Sequence, residues 1–135
     1  MPNNHTYLYV EDDMLSRQIM QMIMGQAMNI KNLVIFEDSD DFMARVNGLP
    51  VKPTIFLLDI HVKPLDGFAM LELLRADPDY RRAKTVALTA SVMNEEVDRL
   101  RSSGFDGAIA KPLTIRTFPG LIERIVRGEA VWHIA

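Results

Sequence analysis

The feature that most constrains this chain is an alternation. Short apolar runs rich in β-branched residues are separated by longer segments whose apolar residues recur every three or four positions. Residues 7–10, 33–36, 54–58, 85–88 and 107–110 form the short runs and predict five strands, each apolar on both faces. A strand reads that way when it is covered above and below. The longer segments predict helices over 14–28, 40–46, 67–75, 95–102 and 114–126; in the first, Leu15, Ile19, Met22 and Ile23 share a face. The third must stop near Asp77-Pro78, because the residue before proline avoids the α conformation. Strands alternating with helices predict a doubly wound α/β fold, a parallel sheet covered on both sides by right-handed crossovers.

With 135 residues there is room for one domain, expected as a core over about 5–127 followed by a tail over 128–135. The apolar share of 48% suffices to bury a single core. The one tryptophan, Trp132, lies in the tail and either packs back on the body or serves a partner. The Met1 start and compact end favour a complete protein over a fragment of a larger one. Without cysteine there is no disulfide framework, thiolate metal site or cysteine nucleophile, and a reducing cytoplasm is the expected setting. A formal charge of -3, with 15 Lys and Arg scattered along the chain, argues against a nucleic-acid surface, which needs a concentrated basic stripe. No apolar run approaches the roughly 18 residues of a membrane span, and the first ten residues do not read as an export signal.

The polar residues that follow each apolar run carry the chemistry. Glu11, Asp12 and Asp13 follow the first run, Asp59 the third, Thr89 the fourth, and Lys111 and Pro112 the fifth. In a parallel sheet these positions meet at one edge, where open α/β sheets place their sites. Carboxylates gathered there repel one another, and a hard divalent cation plus an ammonium group would compensate. Magnesium suits such oxygen ligands. Lys111 offers a point charge for Asp59 or for a phosphoryl group placed on it, and Thr89 offers a hydroxyl. Taken singly, Glu11 to Asp13 fit helix capping better than metal binding, because capping is far commoner, and Lys111-Pro112 fits a solvated strand end equally well. Asp59 is harder to explain that way, since the next helix needs no cap before Asp66. Asp66-Gly67 and Gly104 read as turn and capping residues, and the run Glu37, Asp38, Asp40, Asp41 as a solvated helix start.

YLYVEDD at 7–13, FLLDIHVKPLDG at 56–67, VALTAS at 86–91 and AIAKPLT at 108–114, in this order and spacing, resemble the receiver domains of two-component response regulators over nearly the whole chain. The resemblance implies a flavodoxin-like sheet of strand order 2-1-3-4-5. It implies that Asp59 takes phosphate from a phosphohistidine of a histidine kinase or phosphotransfer protein. By the same likeness, Glu11 and Asp12 hold magnesium together with Asp59, and His61 adds its backbone carbonyl. Thr89 and Lys111 sense the phosphoryl group, Lys111-Pro112 is a cis peptide, and Asp13 falls outside the acidic pair. Output would be a contact with an effector or a second copy on the face of the fourth helix, fifth strand and fifth helix, around 95–121.

Two positions depart from the pattern, and two others bear on the lifetime of the signal. Pro64 stands five residues beyond Asp59 rather than four. The position three before Lys111, aromatic in many receivers, is Ala108, with Phe105 as a partial substitute. His61 and Ser91 flank the path of attacking water and are expected to tune the lifetime of the phosphorylated state. A phosphatase of the haloacid dehalogenase type would want an aspartate at position 61, which is histidine. The expectation is therefore a switch rather than a turnover enzyme. A pseudo-receiver working without phosphorylation is opposed by the intact set Glu11, Asp12, Asp59, Thr89 and Lys111.

Overall fold

The apolar runs pair into one parallel sheet in a computed structural model that describes residues 2–90 and 93–134. In chain order the elements are β1 (Tyr7–Val10), α1 (Met14–Gln21), β2 (Leu33–Phe36), α2 (Phe42–Asn47), β3 (Ile55–Asp59), α3 (Gly67–Ala76), β4 (Lys84–Thr89), α4 (Asn94–Ser102), β5 (Gly107–Ala110), α5 (Phe118–Val126) and β6 (Val131–His133). Every strand pair is parallel, and the order is β2-β1-β3-β4-β5-β6.

The expected order holds for the first five strands, but the sheet has six among the described residues. The segment expected as a tail forms β6, with Gly107, Ala108 and Ile109 in register with Val131, Trp132 and His133. Three residues are too few to show a strand period, and it is the open edge of β5 that makes them a strand. Trp132 packs back on the body, and the Arg101 guanidinium lies 5.1 Å from its ring centre.

Alternation along each strand sends side chains to two cores. Leu8, Val10, Phe56 and Leu58 face Leu71, Leu74 and Tyr80 on one side. Tyr7, Tyr9, Ile55 and Leu57 face Met20, Ile23, Ile122 and Ile125 on the other.

Helix ends follow local chemistry. Asp13 caps α1, its carboxylate accepting from Ser16 N at 2.9 Å and Ser16 Oγ at 2.7 Å. The first helix is not uniform to residue 28, for it widens into a π-helical stretch over Met22–Ala27 that seats Ile23 and Met24 in the core. α2 starts later than expected because Asp41 adopts φ 47. α5 starts at Phe118 rather than 114, which places Pro119 in the first turn, where its missing N–H is harmless. α3 ends at Ala76, and Asp77 before Pro78 is extended.

β5 requires glycine where it meets β6. A Cβ on Gly107 would lie 2.8 Å from the Val131 carbonyl oxygen and 3.3 Å from Ile125 Cδ1. Gly107→Ala should therefore loosen β6, speeding amide exchange at 131–133 and costing about 1–3 kcal/mol. Unchanged exchange at those amides would show that the strand tolerates the methyl group.

Candidate functional site

Parallel pairing brings the carboxyl ends of β1, β3, β4 and β5 to one edge, and the residues there differ sharply in burial. Asp59, the last residue of β3, is only 4% exposed and Glu11 is fully buried, whereas Asp12 faces solvent. One oxygen from each of these three carboxylates lies within 4.8 Å of the others. Lys111 reaches in from just past the carboxyl end of β5, its Nζ 2.8 Å from Glu11 Oε1 and 3.4 Å from Asp59 Oδ2. Three carboxylates thus face one ammonium, an excess of negative charge that a hard cation with oxygen ligands would relieve. In donor type and spacing, Glu11, Asp12 and Asp59 fit such an ion.

Further hydrogen bonds fix the pocket. Glu11 Oε1 also accepts from the Tyr9 hydroxyl at 3.0 Å, and its Oε2 from Asp13 N at 3.4 Å. Asp59 Oδ1 accepts from the backbone N–H of His61 at 3.1 Å. Burial and the neighbouring Asp59 push the Glu11 carboxyl above its ordinary range despite the Lys111 ammonium. Burial works against the charge of Lys111, but the hydrogen bond to Glu11 and the charges of Asp59 and Glu11 outweigh it and hold the ammonium above its ordinary value. Burial, then the Glu11 carboxylate, likewise raises Tyr9, so its hydroxyl stays a donor.

Thr89, fully buried at the end of β4, donates its hydroxyl to Glu96 Oε1 of α4 at 3.0 Å. The same oxygen lies 3.3 Å from His61 Nε2. The backbone under these groups is tightly placed. Lys111 N donates to Thr89 O at 2.8 Å, and Lys111-Pro112 is cis as expected, as is Lys63-Pro64. Asp66 caps α3 through Ala69 N at 2.8 Å. Gly67 is needed where the helix approaches β3, since a Cβ there would lie 3.0 Å from Ile60 Cα. The buried Ser39 pins the loop that carries Pro64, bonding Leu65 O and Leu65 N, each at 2.7 Å.

Of the residues singled out from sequence, Glu11, Asp12, Asp59 and Lys111 converge. Thr89 is at the same edge but engaged with Glu96, and the His61 side chain turns to the same carboxylate. Ser91 lies outside the described residues. Asp13 is a helix cap, apart from the acidic group. Ala108 is buried, and Phe105 packs edge-on against Phe68, with ring centres 5.9 Å apart. Tyr9, Ser39 and Glu96 gave no signal in the sequence beyond their types, for a strand tyrosine, a loop serine and a first-turn glutamate are common everywhere.

The model of the response regulator receiver domain matches residues 7–123. The chain belongs to this family. Among curated relatives, it is 28% identical over 67 residues to the polar-differentiation response regulator DivK of Brucella anthropi, covering 50% of this receiver and 54% of that protein. The chain thus spans about half the length of the curated relatives it matches. Among solved structures, it is similar to the chemotaxis response regulator CheY4 of Vibrio cholerae, with TM-score 0.78, 18% identity, and 90% and 98% of the two chains covered. It is equally similar to the receiver domain of a sensor histidine kinase of Pseudomonas aeruginosa, with TM-score 0.78, 18% identity, and 92% and 98% covered. That receiver has a magnesium ion coordinated in its active site cleft. These likenesses establish the flavodoxin-like α/β fold of this receiver. No helix among its described residues is long and apolar enough to cross a membrane.

Proposed function

We propose that this receiver is a phosphoacceptor switch of a two-component or phosphorelay system, with Asp59 as the acceptor. One observation carries the reading: Asp59 ends its strand inside a cluster of three carboxylates, with the Lys111 ammonium 3.4 Å from its Oδ2. An Asp59 oxygen attacks the phosphorus of a phosphohistidine, a P–O bond forms, and the P–N bond breaks with its electron pair returning to the histidine. Lys111 stabilises charge on the phosphoryl oxygens, and the Thr89 hydroxyl turns to donate to one of them. Glu11, Asp12 and Asp59, with the His61 carbonyl, would hold magnesium, whose charge offsets that of the incoming phosphoryl group. Water later attacks the phosphorus, the bond to Asp59 breaks with its electrons returning to the carboxylate, and the water proton leaves to solvent.

The histidine donor would belong to a kinase or phosphotransfer protein in the cytoplasm. Leu15, Ile19, Pro112 and Leu113 rim the acidic cleft and offer it an apolar seat. Output would pass through the face of α4, β5 and α5, with β6 forming the edge beyond β5. A switch that consumes only the phosphoryl group it carries is not a turnover enzyme.

Incubation with magnesium chloride and acetyl phosphate tests the reading. The natural protein should gain one phosphoryl group, mapped by mass to the peptide bearing Asp59, and should gain none in excess chelator. No gain, or a gain on another residue, overturns the reading and favours a receiver that works by contact alone.

A further inference from the structure

We propose that Glu96 is a positioning residue of the phosphoryl site. It holds the Thr89 hydroxyl and the His61 ring in the unphosphorylated protein and gives both up when Thr89 turns to the phosphoryl group. The proposal rests on the phosphoacceptor reading of Asp59 and adds the route by which that event reaches α4.

A threonine hydroxyl has one hydrogen to donate. In this protein it goes to Glu96 Oε1, a carboxylate acceptor that makes the bond stronger than a neutral one. Thr89 therefore cannot donate to a phosphoryl oxygen until that bond breaks. The same Glu96 oxygen lies 3.3 Å from His61 Nε2, so one atom ties the segment after β3, the end of β4 and the first turn of α4. The Glu96 side chain is 22% exposed and Thr89 is fully buried, so the contact is poorly screened by solvent. A phosphoryl group on Asp59 puts up to two negative charges where the carboxylate carried one, and its oxygens compete for the same hydroxyl. Once Thr89 turns, Glu96 has lost a donor and faces a new anion, and both changes push the start of α4 outward. Ala108 presents no ring that could carry this message, whereas Glu96 already spans the gap.

The test compares natural protein, Glu96→Ala, Glu96→Gln, Thr89→Ala and the Glu96→Ala/Thr89→Ala pair, measuring phosphoryl uptake from acetyl phosphate with magnesium by intact mass. Removing the competing acceptor should speed uptake about three- to tenfold in Glu96→Ala. Glu96→Gln keeps an oxygen acceptor without the charge and should fall between. On the Thr89→Ala background the Glu96 change should alter uptake less than about twofold, because the hydroxyl through which it acts is gone. A Glu96 effect of equal size on both backgrounds, or none on either, overturns the proposal. Without phosphodonor, Glu96→Ala should speed amide exchange over 94–97, and unchanged exchange overturns the clasp whatever Asp59 does. If exchange changes but the natural protein takes up no phosphoryl group, the clasp stands as a contact, while the phosphoacceptor reading and the handover that rests on it both fall.

Discussion

Asp59→Asn is expected to take up no phosphoryl group and yet to melt at a higher temperature than the natural protein. The first half follows from the loss of the nucleophilic oxygen. The second follows from charge. Asp59 has two carboxylate neighbours with oxygens within 4.8 Å and one ammonium at 3.4 Å, so repulsive pairs outnumber attractive ones. At an effective dielectric constant near 20, a unit pair at 4.8 Å is worth roughly 3–4 kcal/mol and one at 3.4 Å roughly 5 kcal/mol before desolvation, so two repulsions exceed one attraction. The substituted amide would keep an oxygen for the His61 N–H and would leave Lys111 to Glu11, so little is lost in exchange. A net gain of about 1 kcal/mol, or a few degrees, is expected in chelator. Added magnesium should narrow the gap, because the natural protein binds it more tightly and is stabilised by mass action. A lower melting temperature in chelator would mean that the Lys111 contact outweighs the repulsion.

Lys111→Met should also lose uptake, but with the opposite effect on stability. Uptake of phosphate should fall by about 100-fold or more, the usual cost of removing a group that stabilises developing charge on oxygen. Stability should fall too, by about 2–3 kcal/mol near neutral pH, since buried Glu11 loses its nearest cation. The sign with pH is fixed. The Glu11 carboxyl is already held above its ordinary range by burial and Asp59, and removing the ammonium moves it higher. An acid whose folded pKa exceeds its unfolded value, about 4.3, contributes stability at low pH and loses it as pH rises through the folded value. The deficit of Lys111→Met should therefore be small near pH 5 and grow toward pH 8. Urea denaturation at both values checks this, and equal deficits would show that Glu11 is not the group left exposed.

Much of the fold and the site was legible because both depend on periodicity and strand ends. A βα alternation places the residue after each apolar run at one edge, so Glu11, Asp12, Asp59, Thr89 and Lys111 could be brought together without a contact being known. What escaped depends on geometry that no period records. β6 exists because β5 had an unpaired edge and Gly107 lets a backbone come close. The widened turn over Met22–Ala27 rotates the end of the first helix to bury Ile23 and Met24, a choice made by the core and not by propensity. The partner of Thr89 is a glutamate on a surface helix, and its role appears only when α4 docks beside β4. Phe105 stood near enough in sequence to replace the missing ring at Ala108, but it is held against Phe68 in the core.

The direction of β6 governs how this protein can be instrumented. Because it runs parallel to the other five strands, the backbone leaving His133 emerges at the rim that bears Asp59, whereas the backbone entering Tyr7 does so at the opposite rim. A dye or affinity handle appended after the last strand therefore starts on the same rim as the chemistry, three strands over from Asp59, while one placed ahead of Pro2 enters from the side where β1 begins.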